Sequence, residues 1–310
     1  DLVQGTLLSV QFSKSPIRQP GSALCEEVVD DECREVVWEN VGEIRAGAFT
    51  SIQFSISDPD IVYAGVDSND MSVYKSEDGG RSWRLIHVTG HTSGVSVNPS
   101  DPNIVMYSVL EGPIQRTADG GEKWFPVLGN RESVAPEVNL FTTISFAPSD
   151  GTVAYTATVE GDHRSGSEDG PVDVYVSNNA GLEWELAGRC SDCGGIKTIA
   201  VDPYDPQIIW AATNSGARVS RDGGRTWGSN LVSSPETRYV YGIAIKPDNP
   251  AIILAASTEN GMFRSDDGGQ TWAPANQGLN SKQLHTVRFA LGNPNVAYVA
   301  THDGVYRSGD

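Results

Sequence analysis

A four-residue alternation of polar and apolar positions recurs seven times along the chain: Ser9–Phe12, Ser51–Phe54, Gly94–Val97, Thr143–Phe146, Thr198–Val201, Gly242–Ile245 and Thr286–Phe289. The last residues of these segments follow one another at intervals of 42, 43, 49, 55, 44 and 44 positions. Period-two alternation bounded by Pro, Gly and Asp predicts short strands with one buried face. Each segment leads into a Pro-bearing turn and further alternating segments, so a unit reads as four antiparallel strands. Four-stranded units of roughly 40 to 50 residues are the blades of a propeller, a ring that leaves only short sheet edges.

The strongest punctuation is a turn repeated late in each unit. It reads SEDGGRSW at 76–83, TADGGEKW at 117–124, SRDGGRTW at 220–227 and SDDGGQTW at 265–272. A degraded copy, SNNAGLEW at 177–184, has Asn179 where the others have Asp78, Asp119, Asp222 and Asp267. The Ser or Thr hydroxyl and the carboxylate are placed to accept backbone N–H bonds across a hairpin, and Gly accepts the positive φ it demands. Trp then buries a large face between sheets. The phase of the repeat makes Trp38 the close of a first unit whose turn has decayed; only Trp210 stands outside the scheme. The box is read as structural, since it brings no nucleophile to a base.

The whole of residues 1–310 is therefore expected to be one all-β domain, a seven-bladed β-propeller of four-stranded antiparallel blades. The blades start near 8, 50, 93, 142, 197, 241 and 285. The final unit stops at Asp310 before its box, and residues 1–5 are expected to supply its outer strand and close the ring. The alternative is a chain with more repeats downstream.

Charge narrows the function. With 40 Asp and Glu against 22 Lys and Arg, the net charge is −18. No basic stripe is visible to meet a phosphate backbone, which argues against nucleic acid. No apolar run reaches a membrane span. Cysteines fall in two close pairs, Cys25 with Cys33 and Cys190 with Cys193. Two short-loop disulfides in an exported protein is the reading. The chain opens at Asp1 without Met or an apolar signal core, as a processed mature form or a cut piece does.

The S-x-D-x-G-x-T-W turn resembles the Asp-box, or BNR, repeat, and the resemblance extends over nearly the whole chain. Such propellers include sialidases, xyloglucan-active glycoside hydrolases of family 74, sortilin-type receptors and photosystem II assembly factors. The resemblance implies that the boxes are peripheral and remote from any ligand. A sialidase is disfavoured, because SPIRQP at 15–20 only scrambles the F-R-I-P motif and seven units replace six. Residues 38–70 are similar in rhythm to the opening of family 74 enzymes, but those use two propellers and a T-D-x-G-G stretch where this chain has GVDSNDMS.

In a propeller, ligands meet the loops at one end of the channel. Topology sends Glu43, Arg45, Asp67, Asp70, His91, Glu111, Arg131, Glu137, Asp162, His163, Tyr239, Tyr241, His285, His302 and Asp303 toward that mouth. Arg45, His91, Arg131, Tyr239, Tyr241, His285 and His302 are the ligand-binding candidates. No cofactor is required, although Asp162, Glu168 and Asp169 of the insertion at 159–173 offer oxygen ligands of the kind calcium takes. The expected function is a non-catalytic exported binding or assembly module with a protein or glycan partner. The alternative is a family 74-like glycoside hydrolase, pairing Asp67 or Asp70 with Glu137 or Asp162 as acid and base.

Overall fold

The computed structural model describes residues 8–12, 36–40, 48–67, 73–88, 92–109, 112–129, 141–158, 171–228 and 239–309. Everything described is strand or turn. After a two-stranded antiparallel sheet of β1 (Leu8–Phe12) and β2 (Val36–Asn40), six blades follow in chain order. The first comprises β3 (Ala48–Phe54), β4 (Val62–Asp67), β5 (Val73–Ser76) and β6 (Arg84–His87). The second comprises β7 (Thr92–Val97), β8 (Val105–Val109), β9 (Ile114–Thr117) and β10 (Phe125–Leu128). The third comprises β11 (Phe141–Ala147), β12 (Asp150–Thr158), β13 (Val172–Ser177) and β14 (Glu185–Cys190). The fourth shows β15 (Ile196–Val201), β16 (Ile209–Thr213) and β17 (Gly216–Ser220). The fifth comprises β18 (Val240–Ile245), β19 (Ile253–Ser257), β20 (Gly261–Ser265) and β21 (Ala273–Pro274). The sixth shows β22 (Leu284–Ala290), β23 (Asn293–Thr301) and β24 (Gly304–Ser308).

Each blade is a meander in which successive strands pair antiparallel. The first strand of each blade packs beside the first strand of the next, β3 to β7, β7 to β11, β11 to β15, β15 to β18 and β18 to β22, so these six strands line the channel. The inner strands of the six blades begin at Ala48, Thr92, Phe141, Ile196, Val240 and Leu284. Six blades stand among the described residues, and the β1–β2 sheet occupies the place in the chain of the first of the seven expected units. Trp38 departs from the scheme: it lies inside β2, opposite Val10, whereas every other box Trp stands just before an outer strand or turn. The closing strand expected at 1–5, and the Cys25–Cys33 pair, lie outside the described residues.

Among the described residues five apolar cores form, one between each pair of consecutive blades. The alternation explains them, because the apolar positions of an inner strand face the preceding blade. Val95 and Val97, Ile144 and Phe146, and Ile199 and Val201 are all buried this way. In the first blade the same positions, Ile52 and Phe54, remain 46% and 40% exposed. Each aliphatic side chain covered in this way contributes about 1.5 to 3 kcal/mol.

The boxes lock neighbouring blades together. Residues opposite each other across the first and second strands put Tyr63, Met106, Tyr155 and Trp210 at one equivalent place. Each reaches toward a box glycine of the following blade. A Cβ on Gly181 would stand 2.2 Å from Met106 Sδ, and one on Gly269 would stand 2.0 Å from the Trp210 ring. Trp210, the tryptophan the repeat left unexplained, is thus the knob that fills the next blade's box, edge-on to Trp272 at 5.8 Å. Tyr63 and Tyr155 also donate their hydroxyls to Pro102 O and Pro206 O of the following blade, at 3.0 and 2.9 Å.

Candidate functional site

At the box end the Ser, Asp and Trp side chains that define the turn find partners within it. In the first blade the Ser76 hydroxyl donates to Asp78 Oδ1 at 2.8 Å and accepts from Gly80 N at 2.8 Å. Ser82 N donates to Asp78 Oδ1 and its hydroxyl to Oδ2, at 2.8 and 2.6 Å, while Trp83 Nε1 donates to Gly80 O at 2.9 Å. These donors hold Asp78 at a pKa of about 2, led by the Ser82 hydroxyl, and Asp267 is held at about 2 by Thr271 in the same way. The pKa values of Asp119 and Asp222 are also lowered. In the degraded copy Asn179 keeps the acceptor role, taking Ser177 Oγ at 3.0 Å and Glu183 N at 2.9 Å. Its neighbour Ala180 adopts φ 59°, where the other boxes use Gly. A satisfied turn of this kind has no free group for chemistry.

The opposite end, where the inner strands begin, carries the candidates. Tyr239 enters β18 with φ 56°, a left-handed backbone rarely adopted by a bulky residue. Two neighbours fix it: its N–H donates to Asn214 O at 2.9 Å, and its carbonyl accepts from Thr258 N at 3.1 Å. The ring is left 37% exposed. Strain held by surrounding structure is a mark of functional positions. Next to it, the Tyr241 ring lies under the Lys197 ammonium at 5.4 Å, a cation–π contact between adjacent blades. His285 and His302 come together with ring centroids 6.3 Å apart.

Other expectations change. Asp303 is engaged within its own turn: it accepts Thr301 Oγ1 at 2.5 Å and the Tyr306 hydroxyl at 2.9 Å, which lowers its pKa. Asp173, the last carboxylate of the insertion, is gripped by Arg189 at 2.6 and 2.9 Å. Asp67 ends β4 on the mouth side. Asp70, Glu137, Asp162, Arg45, His91, Arg131, Glu168 and Asp169 lie outside the described residues. Among the described residues no group of three His, Cys, Asp or Glu is arranged to hold a metal. Cys190 and Cys193 form a disulfide, with Cα atoms 5.6 Å apart, beside the buried Arg218, whose guanidinium donates to Asp192 O at 2.9 Å. Among the described residues no helix is long and apolar enough to cross a membrane.

Sequence reasoning missed a feature shared by all six blades. Near the start of each inner strand the ladder skips one residue: Thr50, Ser93, Thr142, Lys197, Tyr241 and His285. Each is a β-bulge at the equivalent position; the β1–β2 ladder has none. The signal was present as a broken alternation, with two non-core positions between core residues, as in Ile196-Lys-Thr-Ile199 and Leu284-His-Thr-Val287.

Blades, boxes and channel together define an Asp-box β-propeller. A family model described as BNR/Asp-box repeat matches residues 263–274. Among curated proteins the chain is similar to a xyloglucanase of Hypocrea jecorina, 22% identical over 249 residues, which is 78% of this chain and 27% of that protein. It is also similar to a probable oligoxyloglucan-reducing end-specific xyloglucanase of Neosartorya fischeri, 26% identical over 200 residues, 59% of this chain and 23% of that one. The chain thus spans only a minor part of the length of these relatives. Of solved structures, an ancestral GH74 enzyme superposes with a TM-score of 0.68 at 20% identity, covering 84% of this chain and 36% of that one. YCF48 bound to D1 peptide superposes with 0.60 at 15% identity, covering 84% and 78%.

Proposed function

We propose that this propeller engages a xyloglucan-type polysaccharide across its channel mouth, as one propeller of an exported, glycoside-hydrolase-type protein. The ligand class comes from the likeness to xyloglucanases. The structural observation that carries the reading is Tyr239, an exposed aromatic side chain on a backbone held by Asn214 of the preceding blade and Thr258 of its own. A rigid aromatic face is what a pyranose ring stacks on, because it offers apolar area at low entropic cost. Asp67, or Asp70 in its place, is the candidate for one member of the hydrolytic acid–base pair, with Glu137 or Asp162 as the other. The Cys190–Cys193 disulfide supports an oxidising, exported setting.

A second reading, a non-catalytic platform that docks a protein, is favoured by the peptide-bound YCF48 structure, most of whose chain this one covers. Affinity electrophoresis in xyloglucan, together with reducing-sugar release, separates the two. Retardation by xyloglucan that Tyr239→Ala weakens about tenfold, or about 1.4 kcal/mol, supports the polysaccharide reading. Sugar release abolished by Asp67→Asn adds hydrolysis to it. Neither retardation nor release overturns it and leaves protein docking.

A further inference from the structure

Six identical bulges demand a reason beyond folding. A bulge costs ladder hydrogen bonds, and its recurrent use is to re-aim one side chain, most often at a rim or beside an active site. Here the bulged residues come from the six strands that line the channel, all at the end where those strands begin. Two bulged side chains of adjacent blades, Lys197 and Tyr241, meet one another. The positions just after the bulges are Ser51, Gly94, Thr143, Thr198, Gly242 and Thr286, all small. They have to be, because inner strands close in there. A Cβ on Gly242 would stand 2.8 Å from Thr286 Cα, and the Thr198 hydroxyl donates 2.8 Å to Tyr241 O. Spacing is therefore held by one position and variety is confined to the bulge.

The variety is sorted into two arcs. Thr50, Ser93 and Thr142 are hydroxyl residues on three consecutive blades; Lys197, Tyr241 and His285 are cationic or aromatic on the next three. On the hydroxyl arc, Ser51, Ser93 and Ser108 bury their hydroxyls without a hydrogen-bond partner. Ser51 adjoins the bulge at Thr50, and Ser108 pairs with Gly94 beside the bulge at Ser93. Unsatisfied buried hydroxyls are uncommon in native proteins, and three on two adjacent blades mark a region where polar partners are missing.

Resting on the polysaccharide reading above, we infer that the six bulged residues form one ligand-reading ring. It takes a neutral, polyhydroxylated glycan, with sugar hydroxyls bonded along the Thr50–Ser93 part of the hydroxyl arc and a sugar face stacked at Tyr241. A neutral ligand suits both arcs, since hydroxyl arrays exchange bonds with sugar hydroxyls and need no charge.

Calorimetric titration of the purified chain with xyloglucan heptasaccharide and with cellohexaose tests this, alongside thermal melts of each variant. Tyr241→Ala is expected to weaken binding at least tenfold. Ser93→Ala is expected to weaken it three- to fivefold while leaving the melting temperature unchanged or raised, since it removes an unpaired buried hydroxyl. Arg221→Ala, at the box end, is expected to bind as the wild type does. Wild-type affinity in both Tyr241→Ala and Ser93→Ala, with binding still sensitive to Tyr239→Ala, overturns the ring and leaves the polysaccharide reading standing. Failure of the wild type to bind either sugar overturns both.

Discussion

The two ends of this propeller are built from the same repeat and behave oppositely. At the box end, five turns carry nearly one sequence, and each Ser, Asp or Asn, Gly and Trp has its partner within the turn or on the preceding blade. At the mouth end, six equivalent bulges carry five residue types, and three nearby hydroxyls go unpaired. The difference teaches that repetition here measures structural duty. Where every atom is used to hold blade to blade, sequence repeats; where the ladder releases a residue, sequence diverges.

The comparison breaks first if a box tolerates bulk. Gly269→Ala would drive a Cβ into Trp210 and also force a left-handed φ on Ala, and a loss of about 3 kcal/mol or more is expected. Gly268→Ala, with nothing within 4 Å, should lose only about 1 to 2 kcal/mol from the backbone alone. Chemical denaturation of the two variants checks the gap between them.

Acid is the next lever. Asp78 and Asp267 are depressed to about 2 when folded, below the roughly 3.9 of an unfolded Asp. Their contribution is complete above pH 4 or so and is lost as pH falls through about 2. Melting temperature should therefore hold down to pH 4 and drop steeply below it. Asn in place of Asp267 should flatten that segment of the profile.

A smaller effect is expected at the degraded box. Ala180→Gly relieves a left-handed backbone and should stabilise by about 1 kcal/mol, read as a raised melting temperature. Smallest of all is the mouth. Tyr239→Ala should leave stability within about 0.5 kcal/mol of wild type while changing binding, which sharpens the contrast between the two ends.

Much of this was readable before any coordinates. The strands, the order of blades and the hydrogen-bonded box follow from local rules: alternation every second residue, Gly at positive φ, and short polar side chains that bond their own turn. Two features were missed because they are not local. Trp210 has no box, and only contact with a glycine 59 positions later explains it. The bulges hid in segments such as Val240-Tyr-Gly-Ile243, where two consecutive non-core residues looked like a weak strand start rather than one displaced side chain. Candidate residues chosen by topology differ by environment. Tyr239, Tyr241 and His285 lie at the end where the inner strands begin, whereas Asp303 is absorbed by Thr301 and Tyr306, partners that topology does not reveal.

The glycine-filling side chains also give the ring a direction. Tyr63, Met106, Tyr155 and Trp210 each enter the box of the blade that follows, never the one before. A ribosome delivers the chain from its N-terminus, so each plug is finished before its socket exists. A growing chain therefore carries one uncovered aromatic or thioether at its leading blade, capped when the next box emerges. The plug-and-socket order thus runs with the chain, each of these four blades offering its side chain to the blade made after it.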